Sequence, residues 1–413
     1  MTDFNVSTAQ ATGPDRVSKV PALWLLVGLS SVGPLALNIF QPSIGAIASD
    51  FAVPSSQVQW SLTVYLVGLM IGQFIYGPLS DRFGRRPLIL LGLFGFIFAN
   101  TWLALTNDFT SLLLGRGLQA MAASSGMVLT RAIVRDCYPT EKSASALGYV
   151  TTAMVAVPAI APSLGYGLEY LGSWRYGFWF LVAFGTWVGV TVWRFVPETN
   201  LSPLHQLSLK GYVQGSSDLL LNRPFIAYCG TLGFGTASFF CFLAGAPYAT
   251  VEVLGGSGKE YSLYFLILSA GYMAGNFTAG RFSVRLGLPL MMRIGHGVSL
   301  LAGVVFMFNL ATPSMLLIFV PAALVAFGGG LYNPAAMAGA LAVRPDIAGT
   351  ASALIGVLSM GMAVAFSVLT NLVMGPSLLG FVLPYAACII GASLCSYVAI
   401  NAGNQRRSEL LQV

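Results

Sequence analysis

Arg116 and Gln119 stand three residues apart inside an otherwise apolar run, 109–134, so on a helix their side chains share one face. A guanidinium near the middle of a membrane helix costs about 2.5–3.5 kcal/mol on insertion scales. Arg116 must therefore meet a wet cavity, an acceptor or a bound solute. Either it anchors a polar ligand in a central cavity, or it is a structural cation satisfied by neighbouring carbonyls. Asn38 and Gln41 form a second pair three apart, able to offer amide donors and acceptors to a ligand or to join two helices. Tyr65 belongs to a stripe with Leu69, Gly72, Gln73 and Tyr76 that suits packing, and is its best binding candidate. Asn276 and the pair Tyr332-Asn333 are polar positions in later apolar runs, with Pro334 and Gly328-Gly329-Gly330 expected to let that helix bend. This chemistry is recognition, not bond making. The chain has no HExxH, GxSxG or P-loop pattern, and its two histidines, His205 and His296, lie far apart.

The elements that position these residues follow from composition. Of 413 residues, 56% are hydrophobic and 8% charged, with a mean hydropathy of +0.77. Soluble domains carry roughly 25% charged residues, so most of this surface must face lipid. The 47 glycines fit close helix packing in a membrane. The five cysteines form no CxxC pair and read as small packing residues. Residues 1–19 lack a basic region leading a short apolar core, so the first apolar run is expected to be retained as a span.

A span needs about 20 apolar residues. Runs fall near 21–47, 56–79, 87–106, 109–134, 143–171 and 176–196, then, after a polar stretch 197–222, near 224–250, 261–283, 289–311, 314–342, 347–374 and 378–402. The expectation is an all-α polytopic membrane protein with twelve transmembrane helices in two pseudo-symmetric six-helix bundles. Residues 1–20 form a cytoplasmic tail, 21–196 the first bundle, 197–222 a cytoplasmic and partly amphipathic linker, 223–403 the second bundle and 404–413 a cytoplasmic tail. With the N-terminus inside, seventeen of the twenty Lys and Arg residues fall on cytoplasmic segments, as the positive-inside rule requires. Only Arg175 and Lys259 fall outside, and Arg116 lies within a span.

The densest polar stretch is Gly77-Pro-Leu-Ser-Asp-Arg-Phe-Gly-Arg-Arg-Pro87. Its charges predict an eleven-residue cytoplasmic hinge between two spans, with Gly77 and Gly84 permitting tight turning and Pro87 suiting a first helical turn. Gly280-Arg-Phe-Ser-Val-Arg-Leu-Gly287 occupies the equivalent place in the second half but lacks the Asp. Two halves with matching loops suggest parallel repeats about an axis along the membrane normal.

That stretch resembles the signature of the major facilitator superfamily, G-x-L-x-D-R-x-G-R-R, at Gly77, Leu79, Asp81, Arg82, Gly84, Arg85 and Arg86. Leu112, Arg116 and Gln119 resemble the family's span-four motif, with Ala120 where Gly is usual. Pro162 and Gly165 match part of the antiporter motif, a span-five hinge in which Val157 and Ala161 replace glycines. Trp174-Arg175, Pro197-Glu198-Thr199 and Ala348-Gly-Thr-Ala-Ser-Ala353 point to the twelve-span drug:proton antiporters, in the bicyclomycin and chloramphenicol resistance branch.

The resemblance implies alternating access and proton-coupled efflux of small amphiphilic compounds. Its partners would be a small-molecule substrate, protons and the lipid bilayer, with no nucleic acid and no cofactor. The chain would be a monomer in the cytoplasmic membrane with both termini in the cytoplasm. It also implies that Arg116 lies near the substrate and proton pathway, and that Asp81 meets the start of span eleven, around 346–351, where a helix N-terminus favours an anion. One departure stands out: where relatives often carry an Asp in span one, this chain has Asn38. No Asp or Glu lies well inside a span, Asp136 and Glu141 flank span four, and His296 could titrate. Protonated substrate is another possible carrier. The alternative reading is a metabolite or siderophore-like transporter, or a solute exchanger, on the same fold. A membrane receptor, a scaffold and a membrane enzyme are less consistent with the polar interior and the lack of an acid–base pair.

Overall fold

A computed structural model of the chain describes residues 21–137, 140–200, 209–344, 347–375 and 377–410. Among these the regular structure is helical: α1 (Leu23–Asn38), α2 (Ile44–Asp50), α3 (Ser55–Val58), α4 (Trp60–Phe83), α5 (Arg85–Leu105), α6 (Phe109–Cys137), α7 (Thr140–Tyr170), α8 (Arg175–Phe195), α9 (Leu209–Leu220), α10 (Arg223–Tyr248), α11 (Gly258–Leu286), α12 (Leu288–Met307), α13 (Met315–Val343), α14 (Ala348–Val373) and α15 (Leu379–Leu410). Among the described residues, ten helical segments are long and apolar enough to cross a membrane. The long helices α7 and α11 are not among those ten. Exposed Phe74, Phe94, Phe98, Trp193 and Leu394 on several of these helices suit a lipid-facing surface.

Local sequence sets the helix ends. Asn222 accepts from the backbone of Phe225 to cap α10, Ser314 caps α13, and Ser257 with Glu260 forms a capping box at α11. The expected eleven-residue hinge is much tighter. α4 runs on to Phe83, α5 starts at Arg85, and Gly84 alone breaks the helix at φ 95°. A left-handed glycine reverses the chain in one residue, so the charged side chains stand on helix ends and not on a loop. Gly287 breaks α11 from α12 in the same way at φ 77°, and the N–H of each glycine bonds the carbonyl of the serine four residues back, Ser80 and Ser283.

The first apolar run is also interrupted. α1 stops at Asn38, a turn follows, and Gln41–Ser43 is a 3₁₀ segment leading into α2. Pro42 has no N–H to give the Asn38 carbonyl, so the regular ladder ends there. Asn38 and Gln41 are therefore not neighbours on one continuous α-helix, although both are buried. The polar stretch 197–222 holds the amphipathic helix α9.

Packing repeats between the halves. α6 takes α4 and α5 on its sides, as α13 takes α11 and α12. Gly68 and Gly72 of α4 lie against the α6 backbone at Gly117 and Met121; Gly271 and Gly275 of α11 lie against the α13 backbone at Ala323 and Phe327. Small residues at these points let helix axes approach where no hydrophobic effect drives helices together. The glycine run of α13 serves the same purpose: Gly328 meets Gly295 and Gly330 meets Gly275, while α13 stays one helix through Pro334.

The halves meet along α4–α14 and α7–α11. Their side-chain hydrogen bonds gather at the end opposite Gly84. Thr63 Oγ1 lies 2.8 Å from Ser367 Oγ, and Asn371 Nδ2 donates to Thr63 at 3.0 Å. Ser262 donates to the Pro162 carbonyl at 3.2 Å, and Ser55 donates to Glu252. One apolar core, including Leu29, Phe96, Phe242 and Phe306, draws on both halves. A second, including Phe225, Met291 and Tyr332, draws only on residues from α9 onward.

Candidate functional site

Arg116 is fully buried, 0% exposed, within the first half. Its Nη1 donates to the Ala36 carbonyl at 3.1 Å and to Gln119 Oε1. The guanidinium lies between two rings, 4.5 Å from the centroid of Phe40 and 4.4 Å from that of Tyr65. Each such contact is worth about 2 kcal/mol when desolvated. Tyr65 is held by its own hydroxyl, which donates to the Gly33 carbonyl at 2.9 Å. Gln119 passes the network to α5, donating from Nε2 to Asn100 Oδ1 at 2.6 Å, while Asn100 donates to the Phe96 carbonyl at 2.7 Å. Helices α1, α4, α5 and α6 thus converge on one cation.

The network is incomplete. Among the described residues Arg116 Nε and Nη2, both buried, find no hydrogen-bond partner. Leaving a buried charged donor unmet costs more than about 1–3 kcal/mol, and two N–H groups of Arg116 have hydrogen-bonding capacity to spare. One carbonyl, Ala36, does not satisfy it. Asn100 was missed in the sequence although the signal existed: an amide inside the apolar run 87–106, like Asn276.

The other first-half candidates fall elsewhere. Asn38 donates to the Pro34 carbonyl at 2.8 Å, with its Oδ1 unmet. Gln41, also without partners, lines a small pocket between the halves with Ser55, Glu252 and Tyr261. Pro162 supplies the carbonyl that bonds Ser262 of α11, and Gly165 lies against the Ile39 carbonyl, where a side chain would clash. This part of α7 therefore touches both the α1 turn and the second half.

In the second half Asn276 donates to the Tyr272 carbonyl at 2.9 Å, and Asn333 Oδ1 is unmet. Tyr332 and Asn333 face α10 at Gly235, where a Cβ would stand 2.8 Å from the Tyr332 hydroxyl. Tyr332 stacks on His296.

The charged stretch forms a latch at the Gly84 end. Asp81 pairs with Arg85, and Arg85 Nε also reaches Asp136 of α6 at 3.1 Å. The Glu198 carboxylate accepts the backbone N–H groups of Arg85 at 2.8 Å and Arg86 at 3.0 Å, at the N-terminus of α5. An anion there is favoured by the helix dipole. Asn200 donates to the Asp81 carbonyl at 2.8 Å, and Arg86 Nη2 to that of Trp193 at 2.6 Å. Arg82 stands over Phe83, and Gly77 has open space beside it. The partner expected for Asp81, the start of span eleven, includes Asp346, which lies outside the described residues.

A multi-pass helical membrane protein with repeated helix packing, a seam between two halves and a guanidinium buried in mid-helix is built as a transporter. The chain belongs to the Major Facilitator Superfamily, whose family model matches residues 26–368. It is similar to Multidrug resistance protein D of Escherichia coli strain K12, at 31% identity over 83% of this chain and 86% of that one. It is 33% identical to a chloramphenicol resistance protein of Pseudomonas aeruginosa, over 82% of this chain and 80% of the other. An uncharacterized transporter of this type, YdgK of Bacillus subtilis strain 168, is 32% identical over 72% and 74%. Among solved structures, a D-xylose-proton symporter shares the fold with a TM-score of 0.73 at 13% identity, covering 91% of this chain and 96% of that one.

Proposed function

We propose that this chain is a secondary exporter of small amphiphilic organic compounds, drugs among them, driven by the proton gradient. The observation that carries this reading is kinship, over most of both chains, with proteins named for resistance to chloramphenicol and to multiple drugs. The buried Arg116, with two unmet donors between aromatic walls, suits substrates with carbonyl or acidic groups on an apolar body.

In this reading α7 and α11 join the ten apolar segments as crossings, making twelve. Residues 21–196 and 223–403 are the two six-helix bundles, and 197–222 links them in the cytoplasm. The Gly84 end faces the cytoplasm, as do both termini, and the chain works as a monomer. Substrate enters when the Gly84 end is open and the Thr63–Ser367 seam is closed. It leaves when the seam parts and Asp81 turns to the start of span eleven. Asn38, Gln41, Tyr65, Arg116, Gln119, Asn276, Tyr332 and Asn333 line or tune the pathway, and Pro162 and Gly165 let α7 move against the α1 turn.

The test is drug susceptibility and chloramphenicol accumulation in host cells lacking their own exporters, with Arg116→Ala as the control. Lower accumulation with the native chain and not with the control is the expected result. If neither chloramphenicol nor any other compound in the screen is affected, drug export is refuted.

A further inference from the structure

The second half holds a buried base that the account above leaves unused. His296, on α12, is 5% exposed. Its ring stacks on Tyr332 of α13, with centroids 4.0 Å apart and planes 15° from parallel. The stack exists because the backbones of α12 and α13 come together at glycines: a Cβ on Gly295 would stand 2.7 Å from the Gly328 carbonyl and 3.2 Å from Tyr332 Cδ1.

Ser393 Oγ of α15 lies 3.3 Å from His296 Nδ1 and 2.8 Å from the Ile389 carbonyl. The serine has one proton to give; when it goes to the carbonyl, the serine oxygen accepts from Nδ1–H. In a neutral imidazole the lone pair then sits on Nε2. Nε2 is buried and has no hydrogen-bond partner among the described residues.

We propose that His296 is the proton-binding site of the second half. This rests on the proton-coupled export proposed above. Nε2 takes a proton from hydronium in the conformation open to the outside, leaving water behind, while Nδ1–H stays on Ser393. In the conformation closed on that side it returns the proton to water on the cytoplasmic side. The imidazolium charge lies against the face of Tyr332, where a cation is attracted. The site also answers the substitution in span one: Asn38 cannot titrate, and no Asp or Glu lies well inside a span.

The surroundings leave the ring free to respond to hydration. Tyr332 faces it from α13, and Tyr272 of α11 and Cys388 of α15 stand within electrostatic reach of Tyr332. Tyr385 of α15 adds another phenol beside Tyr332 and Cys388. On α12 itself Arg293 is exposed. The groups named are neutral at physiological pH apart from Arg293, so no carboxylate among them holds the imidazole in its charged form.

The chain has two histidines, so the His205→Gln variant leaves His296 as the single imidazole. Its ring nitrogens, isotope-labelled in full-length protein in lipid nanodiscs, report tautomer and charge by magnetic resonance without any substrate. Expected is the Nδ1–H form at about pH 8.5, replaced by the doubly protonated ring as the pH falls. An Nε2–H tautomer, or a ring that stays neutral down to the lowest pH at which the protein remains folded, overturns the proposal. A second measurement uses proteoliposomes with a trapped pH dye and chloramphenicol as probe. His296→Gln should lose drug-dependent proton movement, whereas His205→Gln keeps it. If His296→Gln, melting like the native protein, still moves protons, the proposal fails. If the native chain moves no drug, or moves drug without protons, the export reading fails instead, and the ring titration still decides whether His296 binds a proton.

Discussion

The guanidinium carbon of Arg116 lies 4.4 Å from the centroid of the Tyr65 ring. The tyrosine is itself pinned to α1 through its hydroxyl on the Gly33 carbonyl. The cation therefore ties α6 to α4 and α1 through one aromatic face. Arg116→Ala should abolish export while the protein still reaches the membrane. Tyr65→Phe keeps the ring and loses one hydrogen bond worth about 1 kcal/mol, so it should retain most transport. Tyr65→Ala, which removes the ring, should lose it. Drug accumulation normalised to protein in membrane fractions distinguishes the three; equal activity for Phe and Ala at this position would show that the ring does not matter.

Glu198 holds the N-terminus of α5 through the N–H groups of Arg85 and Arg86. Hydrogen bonds to a charged group contribute about 1.5–3 kcal/mol. Glu198→Ala should lower the melting temperature of the detergent-purified protein, with Glu198→Gln intermediate because an amide oxygen still accepts. An unchanged melting curve for the alanine variant would count against this role.

Asp81 is half exposed and pairs with Arg85 one helical turn away. Arg85 is buried, but without Asp81 it still keeps Asp136 and Ser80 as partners, so the loss should cost about 1 kcal/mol. The proposed role of Asp81 is mechanical. Asp81→Ala should abolish transport with normal membrane content. Native-level transport by that variant would remove Asp81 from the gate.

At the seam, Thr63, Ser367 and Asn371 close the end opposite Gly84. Thr63→Val with Asn371→Ala removes these bonds and should favour the open form by about 1–2 kcal/mol. A cysteine placed at Gly45, beside Val251 of the other half, should then react faster with a membrane-impermeant maleimide added from outside. The background would have its native cysteines replaced by alanine. No change in rate would mean that other contacts hold the seam shut.

Gly84 stands at φ 95° with the Glu198 carboxylate 2.5 Å from where a Cβ would be. Gly84→Ala meets both a strained backbone and a displaced carboxylate, and should destabilise by about 1–3 kcal/mol. Gly77, with open space around it, should tolerate alanine by comparison, and melting temperatures of the two variants check the difference.

Helix positions were legible because the bilayer imposes a length. A run of about 20 apolar residues announces itself, and α8, α10 and α12 start within two residues of the runs 176–196, 224–250 and 289–311. The polar exceptions inside those runs, such as Arg116 and Asn276, were equally visible, since each is expensive in hydrocarbon. Less legible was the local geometry where a single residue decides. Charge alone suggested a long hinge at 77–87, whereas one left-handed glycine suffices. The three-residue spacing of Asn38 and Gln41 suggested a shared face, whereas Pro42 ends the ladder between them.

Solvent chemistry written along the chain was enough to establish a helical membrane protein, ten of its apolar spans and the presence of a cation inside one of them, because hydrophobic length and charge are local properties. Partners are not local. That Arg116 rests between Phe40 and Tyr65, that Gln119 finds Asn100, and that Ser393 reaches His296 depend on helices distant in sequence coming together at glycines. Periodicity says which residues share a face; only packing says what that face meets.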